Sequence, residues 1–502
     1  MPQVFDWIAH HARNMPDKIA AIDAVTQRRF SYARFYDRIS RLAAFFQKEL
    51  GIQRGDRIAI LAMNCTEYFE MQFACGRIGA IMVPLNWRLA LPELEYVVSD
   101  CAPVALAHDA NFAAAQQLKT KLAGAQHLLP IGDSATYEQA LASSAPIFSQ
   151  ENLQHDDTWA ILYTSGTTGR PKGAIITHGM AFWNAVNMGM AVGLNSKSVS
   201  FNVLPTFHTG GLNLYANPGF HFGATAVVAR AFDPTDTLEW LSFGGITHFF
   251  GVPTIYLLLS QHEKFADTDF SRVHSWACGG APMPVSVLNL YRQMNIHIRQ
   301  GFGMTETSPT VFIIDEANAL RKVGSVGKPV LHTSVRTVDQ NGSDVPTGEA
   351  GELWIKGPNV TPGYWNHPEA NAASFTDGWF HSGDAAKMDD EGFYYIVDRW
   401  KDMYISGGEN VYPAEVEQVI YELPQVAEAA VIGVPNEKWG EVGKAIIVLK
   451  TGARLSEEQV IAHCRHKLAK YKIPKSAVFV EALPHTAAGK VLKHELRKKF
   501  CK

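Results

Sequence analysis

The sequence predicts an α/β protein: a large N-terminal domain of βαβ-type sheets with a small β-rich subdomain, then a small α+β C-terminal domain. Three observations carry this. Segments of β type and helical type alternate through the first part of the chain, the signature of sheets with helices on their faces. The texture shifts between about Val335 and Ile355 to short strands with Gly and Pro turns. The last stretch, of about a hundred residues, has strands and helices of its own, enough for an independent domain. At 502 residues the chain also exceeds one ordinary core.

Taken in order, "MPQVFDWIAHHARNMPDKIA" reads as an amphipathic helix and lacks the basic-then-apolar pattern of a signal peptide. "DRIAILAMN" reads as a strand, "TEYFEMQFACGRIGA" as a helix, and "IMVPLN" and "PVALAHD" as further strands. The apolar run at Ile78–Leu85 is too short to span a bilayer, so no stable membrane insertion is expected. "GFYYIVDRWKDMYISGGENVYPAEVEQVIYEL" joins a strand to a turn and to a helix started by Pro413 and Glu415. Strands "AAVIGV" and "KAIIVLK", a helix opened by the capping box Ser456–Gln459, strand "SAVFVEAL" and a basic helix complete the C-terminal module. The boundary falls at Arg399–Asp402, dividing residues 1–398 from residues 403–502 across a 399–402 connector.

The stretch "ILYTSGTTGRPKGAIITH", Ile161 to His178, has the glycines, hydroxyls and lysine of a phosphate-binding loop. It is not a Walker A loop. Counting from Gly166, the second glycine falls on Pro171, and Gly173 stands where a magnesium-binding hydroxyl should follow Lys172. "GAIITH" reads as a second strand, which makes a strand–loop–strand hairpin. Its backbone N–H groups can still form an anion nest, but its magnesium ligand must come from elsewhere.

A hydrophobic share of 47%, a charged share of 19% and a net charge of −4 describe a soluble globular protein without the basic excess of a nucleic-acid binder. Six cysteines without metal spacing read as small buried hydrophobes in a reducing compartment, and a cytoplasmic location is expected.

Four further stretches bear reactive groups: "PTFHTGG" with His208, "GFGMTETSP" with Phe302, Thr305 and Glu306, "HSGDAA" with Asp384 presented from a tight Gly turn, and "PHTAAGKVLK" with Lys490. Singly, each has an ordinary structural explanation. Together they supply what making a mixed anhydride from ATP requires: a phosphate grip, an acidic group for magnesium, an aromatic ring for adenine, an acid and an arginine (Asp384, Arg399) for ribose, and a lysine for charge developing at the α-phosphate.

With "YTSGTTGRPKG", "GFGMTE", "HSGD", "DRWKDMYISGGENVYPAEVE" and the terminal "GK" in this order, the chain resembles the adenylate-forming acyl-CoA synthetases, in the branch of 4-coumarate–CoA and fatty acyl-CoA ligases. The resemblance covers essentially the whole chain. It implies that Thr164, Ser165, Gly166, Thr167, Thr168, Gly169 and Lys172 grip the phosphates of ATP, that Glu306 holds Mg2+, and that Thr305 also faces the nucleotide. Phe302 takes the place of the adenine-stacking aromatic, commonly a tyrosine; Asp384 and Arg399 match the ribose contacts and Lys490 the adenylation lysine. His208 matches a gate beside the carboxylate, and Lys401 a hinge about which the C-terminal domain rotates between two half-reactions. For coenzyme A the matches are Gly407, Gly408, Trp439, Tyr471 and Lys475.

The implied function is an AMP-forming acid–CoA ligase acting on a small-molecule carboxylic acid. Rival readings are transfer to a carrier protein, a luciferase-like monooxygenase and a non-catalytic nucleotide-binding regulator. The last should have lost Glu306 or Lys490, and both are present. Pocket-flanking residues Phe182, Trp183, Phe207, Phe250, Gly279, Phe302, Gly303 and Met304 are flat, apolar or small, fitting a hydrophobic monocarboxylic acid. Asn184 or Asn187 is expected to meet a phenolic hydroxyl, so a hydroxycinnamate-type acid leads and a medium- or long-chain fatty acid is the alternative. The oligomeric state is open, a homodimer included.

Overall fold

The structure, a computed structural model, describes residues 3–501 apart from 125–126, 132–134, 165–170, 401, 407–408, 437–438, 466 and 486–490. Four sheets organise it. In the six-stranded sheet, four parallel strands (His127–Ile131, Ala105–Asp109, Arg57–Leu61, Ile81–Pro84) lead to the hairpin Thr158–Thr164 and Lys172–Thr177. The nine-stranded sheet has a parallel centre and antiparallel edges. Four of its neighbours, in the order Ile298–Gly303, Ser275–Cys278, His248–Gly251 and Val199–Asn202, all run the same way. An antiparallel five-stranded sheet spans Ser334–Val338 to Tyr394–Arg399, so the β-rich subdomain extends well past Ile355. The fourth sheet, with strands between Tyr404 and Phe479, builds the smaller C-terminal domain.

The N-terminal amphipathic segment is shorter than its pattern suggested. The helix covers Trp7–Asn14, capped by the Asp6 carboxylate on Ala9 N at 2.8 Å, and Ile19–Asp23 is already a strand. The helix Thr66–Ile78 is buried along its whole length, including Glu67, Glu70 and Arg77. Those charges are tolerated because they are paired: Arg38 donates to Glu70 at 2.6 Å and Tyr137 donates to the same carboxylate at 2.7 Å. Removing Arg38 would strand a buried charge, at a cost of about 3–5 kcal/mol.

The hairpin forms because β-branched residues pack its second strand and glycine lets it close. A Cβ on Gly173 would stand 2.5 Å from Ile161 Cγ2. The strand ends at Thr177, whose hydroxyl accepts from Met180 N at 3.1 Å and starts the helix His178–Val192.

Candidate active site

Ligands in open α/β sheets bind beyond the carboxyl ends of the parallel strands. Here four adjacent strands of the nine-stranded sheet deliver the expected residues to that edge. Val199–Asn202 leads into the His208 loop, His248–Gly251 carries Phe250, Ser275–Cys278 is followed by Gly279, and Ile298–Gly303 leads through Met304 to Thr305 and Glu306. His208 caps a short helical turn, its Nδ1 accepting from Gly210 N at 3.1 Å, which leaves the proton of a neutral ring on Nε2. Phe250 leans over Gly279: a Cβ there would be 3.2 Å from the Phe250 ring and 3.1 Å from Gly301 O. The Arg88 guanidinium stands 5.9 Å from the Phe207 ring, so a cation reaches this loop from elsewhere in the chain.

Phe302 and Met304 pack against Val311, Phe312, Leu353, Ile355 and Tyr394, which fixes the antiparallel sheet against this edge. That sheet carries Asp384, buried at 5% exposure and in register with Arg399 on the next strand. Asp384 lies not in a tight turn but on a bulge within the strand Trp379–Met388, where Gly383 takes φ +68°.

Thr164 and Lys172 pair across the neck of the hairpin. Ser165, Gly166, Thr167, Thr168 and Gly169 lie outside the described residues, as do Lys401, Gly407, Gly408 and Lys490. The carboxylate of Glu306, at 6% exposure, accepts from Tyr364 through Oε1 at 2.9 Å; among the described residues Oε2 takes no hydrogen bond. Among the described residues no group of three or more His, Cys, Asp or Glu is arranged to hold a metal ion. One buried carboxylate with an open oxygen suits magnesium shared with substrate phosphates, rather than an all-protein cage.

In the C-terminal domain Lys475 Nζ lies 6.0 Å from the Trp439 ring, and Lys475 N donates to Gly443 O at 2.8 Å. Tyr471 packs on the hydrophobic core of the same domain. Ser406 pairs with Gly440 beside Trp439.

Phe182, Trp183, Asn184 and Asn187 have contacts of their own in the fold. Phe182 and Trp183 line a cavity of about 340 Å³ with Trp7, Phe73, Trp159 and His178, on the side of the N-terminal segment. The Asn184 amide has two backbone partners: Nδ2 donates to Asn213 O at 2.7 Å and Oδ1 accepts from Thr310 N at 3.2 Å. Asn187 accepts from His332 N at 3.2 Å, while its buried Nδ2 has no hydrogen-bond partner among the described residues. Tyr364 was invisible to motif reading, since nothing near "TPGYWN" marks a contact with Glu306, 58 positions away.

Residues 8–365 match the family described as AMP-binding enzyme, and residues 415–490 the AMP-binding enzyme C-terminal domain. The chain belongs to this adenylate-forming family. It is 41% identical to a feruloyl-CoA synthase of an Amycolatopsis species, over 98% of each chain. It is 35% identical to the long-chain-fatty-acid–CoA ligase FadD13 of Mycobacterium tuberculosis, again over 98% of each. ATP-bound MatB from Rhodopseudomonas palustris superposes with a TM-score of 0.92 over 99% of each chain, at 32% identity. The protein is an AMP-forming acid–CoA ligase. Among the described residues no helix is long and apolar enough to cross a membrane.

Proposed function

We propose that this ligase acts on a hydroxycinnamate-type aryl acid such as coumarate or ferulate. The observation that carries the reading is the flat apolar wall at these strand ends, where the Phe250 ring lies close against Gly279 with no side chain between them. A planar ring can stack on such a wall, and the relative named a feruloyl-CoA synthase supports it. A medium- or long-chain fatty acid is the second reading. It is favoured by the apolar cluster of Met188, Val192, Leu194, Leu214 and Tyr215, which Phe250 joins.

In the first step the acid, with a pKa of about 4, is already ionised and needs no general base. Its oxygen bonds to the α-phosphorus of ATP and pyrophosphate leaves. Thr164, Lys172 and the hairpin tip hold the phosphates, Phe302 faces the adenine, and Asp384 with Arg399 takes the ribose. Magnesium, held by Glu306 and the phosphates, would supply charge neutralisation on the departing group. The Lys490 ammonium meets the charge growing at the α-phosphate, and His208 Nε2–H stands beside the carboxylate. In the second step the thiol of coenzyme A attacks the acyl carbon and AMP leaves, with Gly407, Gly408, Trp439, Tyr471 and Lys475 on the thiol-donor side.

In this reading residues 1–398 and 403–502 move relative to one another about Lys401. Polar contacts flank that position: Asp398 accepts from Ala414 N at 2.7 Å and faces Lys493 at 3.8 Å, and Asp402 pairs with Arg497 at 2.8 Å. Such an interface is easier to exchange than an apolar one. A cytoplasmic enzyme suits six free thiols, five of them buried.

The test is kcat/KM for ferulate, coumarate, benzoate, octanoate, palmitate and a dicarboxylate, scored as AMP and thioester. Preference for ferulate or coumarate is expected. Preference for either alkyl acid would reverse the order of the two readings, and preference for the dicarboxylate would point to Arg88.

A further inference from the structure

A strap of five residues, Thr361 to Trp365, ties the second strand of the hairpin to the loop that carries Glu306. On the hairpin side, Trp365 N donates to Gly173 O at 2.7 Å, Ile175 N donates to Gly363 O at 3.0 Å, and Tyr364 bridges to Ala174. On the other side Thr361 N donates to Glu306 O at 2.7 Å and the Tyr364 hydroxyl donates to Glu306 Oε1 at 2.9 Å. The Tyr364 backbone is clamped by one amide: its N donates to Asn371 Oδ1 at 2.6 Å, and Asn371 Nδ2 donates to its carbonyl at 3.1 Å. The Tyr364 ring also faces the hairpin lysine, with Lys172 Nζ 5.4 Å from its centroid.

We propose that Tyr364 is the positioning residue of the magnesium site, setting the Glu306 carboxylate for the metal while its ring faces Lys172 of the phosphate grip. This rests on the reading of Glu306 as the magnesium ligand. The physical reason is specific. A carboxylate with two equivalent oxygens can rotate and present either one, and a hydroxyl that occupies Oε1 leaves Oε2 as the oxygen offered to the cation. Outer partners of metal ligands act in this way, and losing one typically costs about 10–100-fold in metal affinity or activity. The strap places the partner on the same backbone unit that registers the hairpin, so the phosphate grip and the metal ligand keep one spacing. Magnesium shared between a protein carboxylate and substrate phosphates needs that spacing, because the ion demands near-octahedral geometry at short distances.

The test compares wild type with Tyr364→Phe, Tyr364→Leu and Glu306→Gln. Binding of a non-hydrolysable α,β-methylene ATP analogue is measured by calorimetry across a magnesium titration, beside pyrophosphate release. Tyr364→Phe keeps the ring over Lys172 and removes only the hydroxyl. It should raise the magnesium concentration for half-maximal binding and rate by about tenfold or more, leaving magnesium-free analogue affinity unchanged. Tyr364→Leu should weaken magnesium-free binding as well. Thioester formation from synthetic acyl-adenylate and coenzyme A should persist in both variants, which separates this effect from loss of fold. A Tyr364→Phe response to magnesium equal to wild type, beside a Glu306→Gln variant blind to the ion, overturns the role of Tyr364 alone. A Glu306→Gln response equal to wild type overturns the metal-ligand reading on which the role stands.

Discussion

Gly303 joins the strand bearing Phe302 to the turn bearing Glu306, and replacing it with alanine tests how closely that edge is built. A Cβ at position 303 would stand 1.9 Å from Pro309 O, more than an ångström inside the 3.0 Å that real Cβ atoms respect. The obstacle is backbone, so no side chain can swing aside. Pro309 O also accepts from Met304 N at 3.0 Å and meets the Thr307 hydroxyl, so pushing it away shifts the turn from Met304 to Thr307. Glu306 moves with that turn by about an ångström. Misplacement on that scale costs about 100-fold in rate, and overpacking of this kind costs about 1–3 kcal/mol of stability. The assay is pyrophosphate release at saturating ATP and acid for wild type and Gly303→Ala, with melting temperatures measured alongside. A folded variant that adenylates within about threefold of wild type would show that this contact does not set the position of Glu306.

Two other outcomes are expected. Lys490→Ala should lose several orders of magnitude in acyl-adenylate formation, as for a lost transition-state charge contact, yet convert synthetic acyl-adenylate and coenzyme A to thioester; an equal fall in both half-reactions contradicts a lysine used in one step only. Burial pushes the His178 pKa down to about 3 and those of His221 and His248 to about 4, from an ordinary 6.5. These rings stay neutral in the folded chain while the unfolded chain binds protons below pH 6.5, so stability is intact above that pH and falls between 6.5 and about 4. At pH 5 each ring contributes a loss of about 2 kcal/mol. Melting curves at pH 7.5 and 5.0 should show a marked drop, and a flat profile would mean the rings are not buried as neutral groups.

What the sequence determined by itself is the chemistry and the order of its parts. Pro171 and Gly173 sufficed to reject a Walker A loop, because a phosphate loop of that kind depends on residue types at consecutive positions. The alternation of strands and helices and the separate C-terminal domain were legible for the same reason: periodicity is local. The expected length of the first helix was wrong because the strand Ile19–Asp23 pairs with Thr225–Val228, two hundred positions away. Only the tertiary structure decided which side chains meet. It turned Phe182 and Trp183 toward a separate aromatic cavity, committed the Asn184 amide to Asn213 and Thr310, and moved Asp384 from a turn onto a strand bulge. It also brought Tyr364 from a distant loop onto Glu306. Helix rotation, strand register and loop docking set these contacts through packing between segments far apart in the chain, and no local pattern of residues encodes that packing.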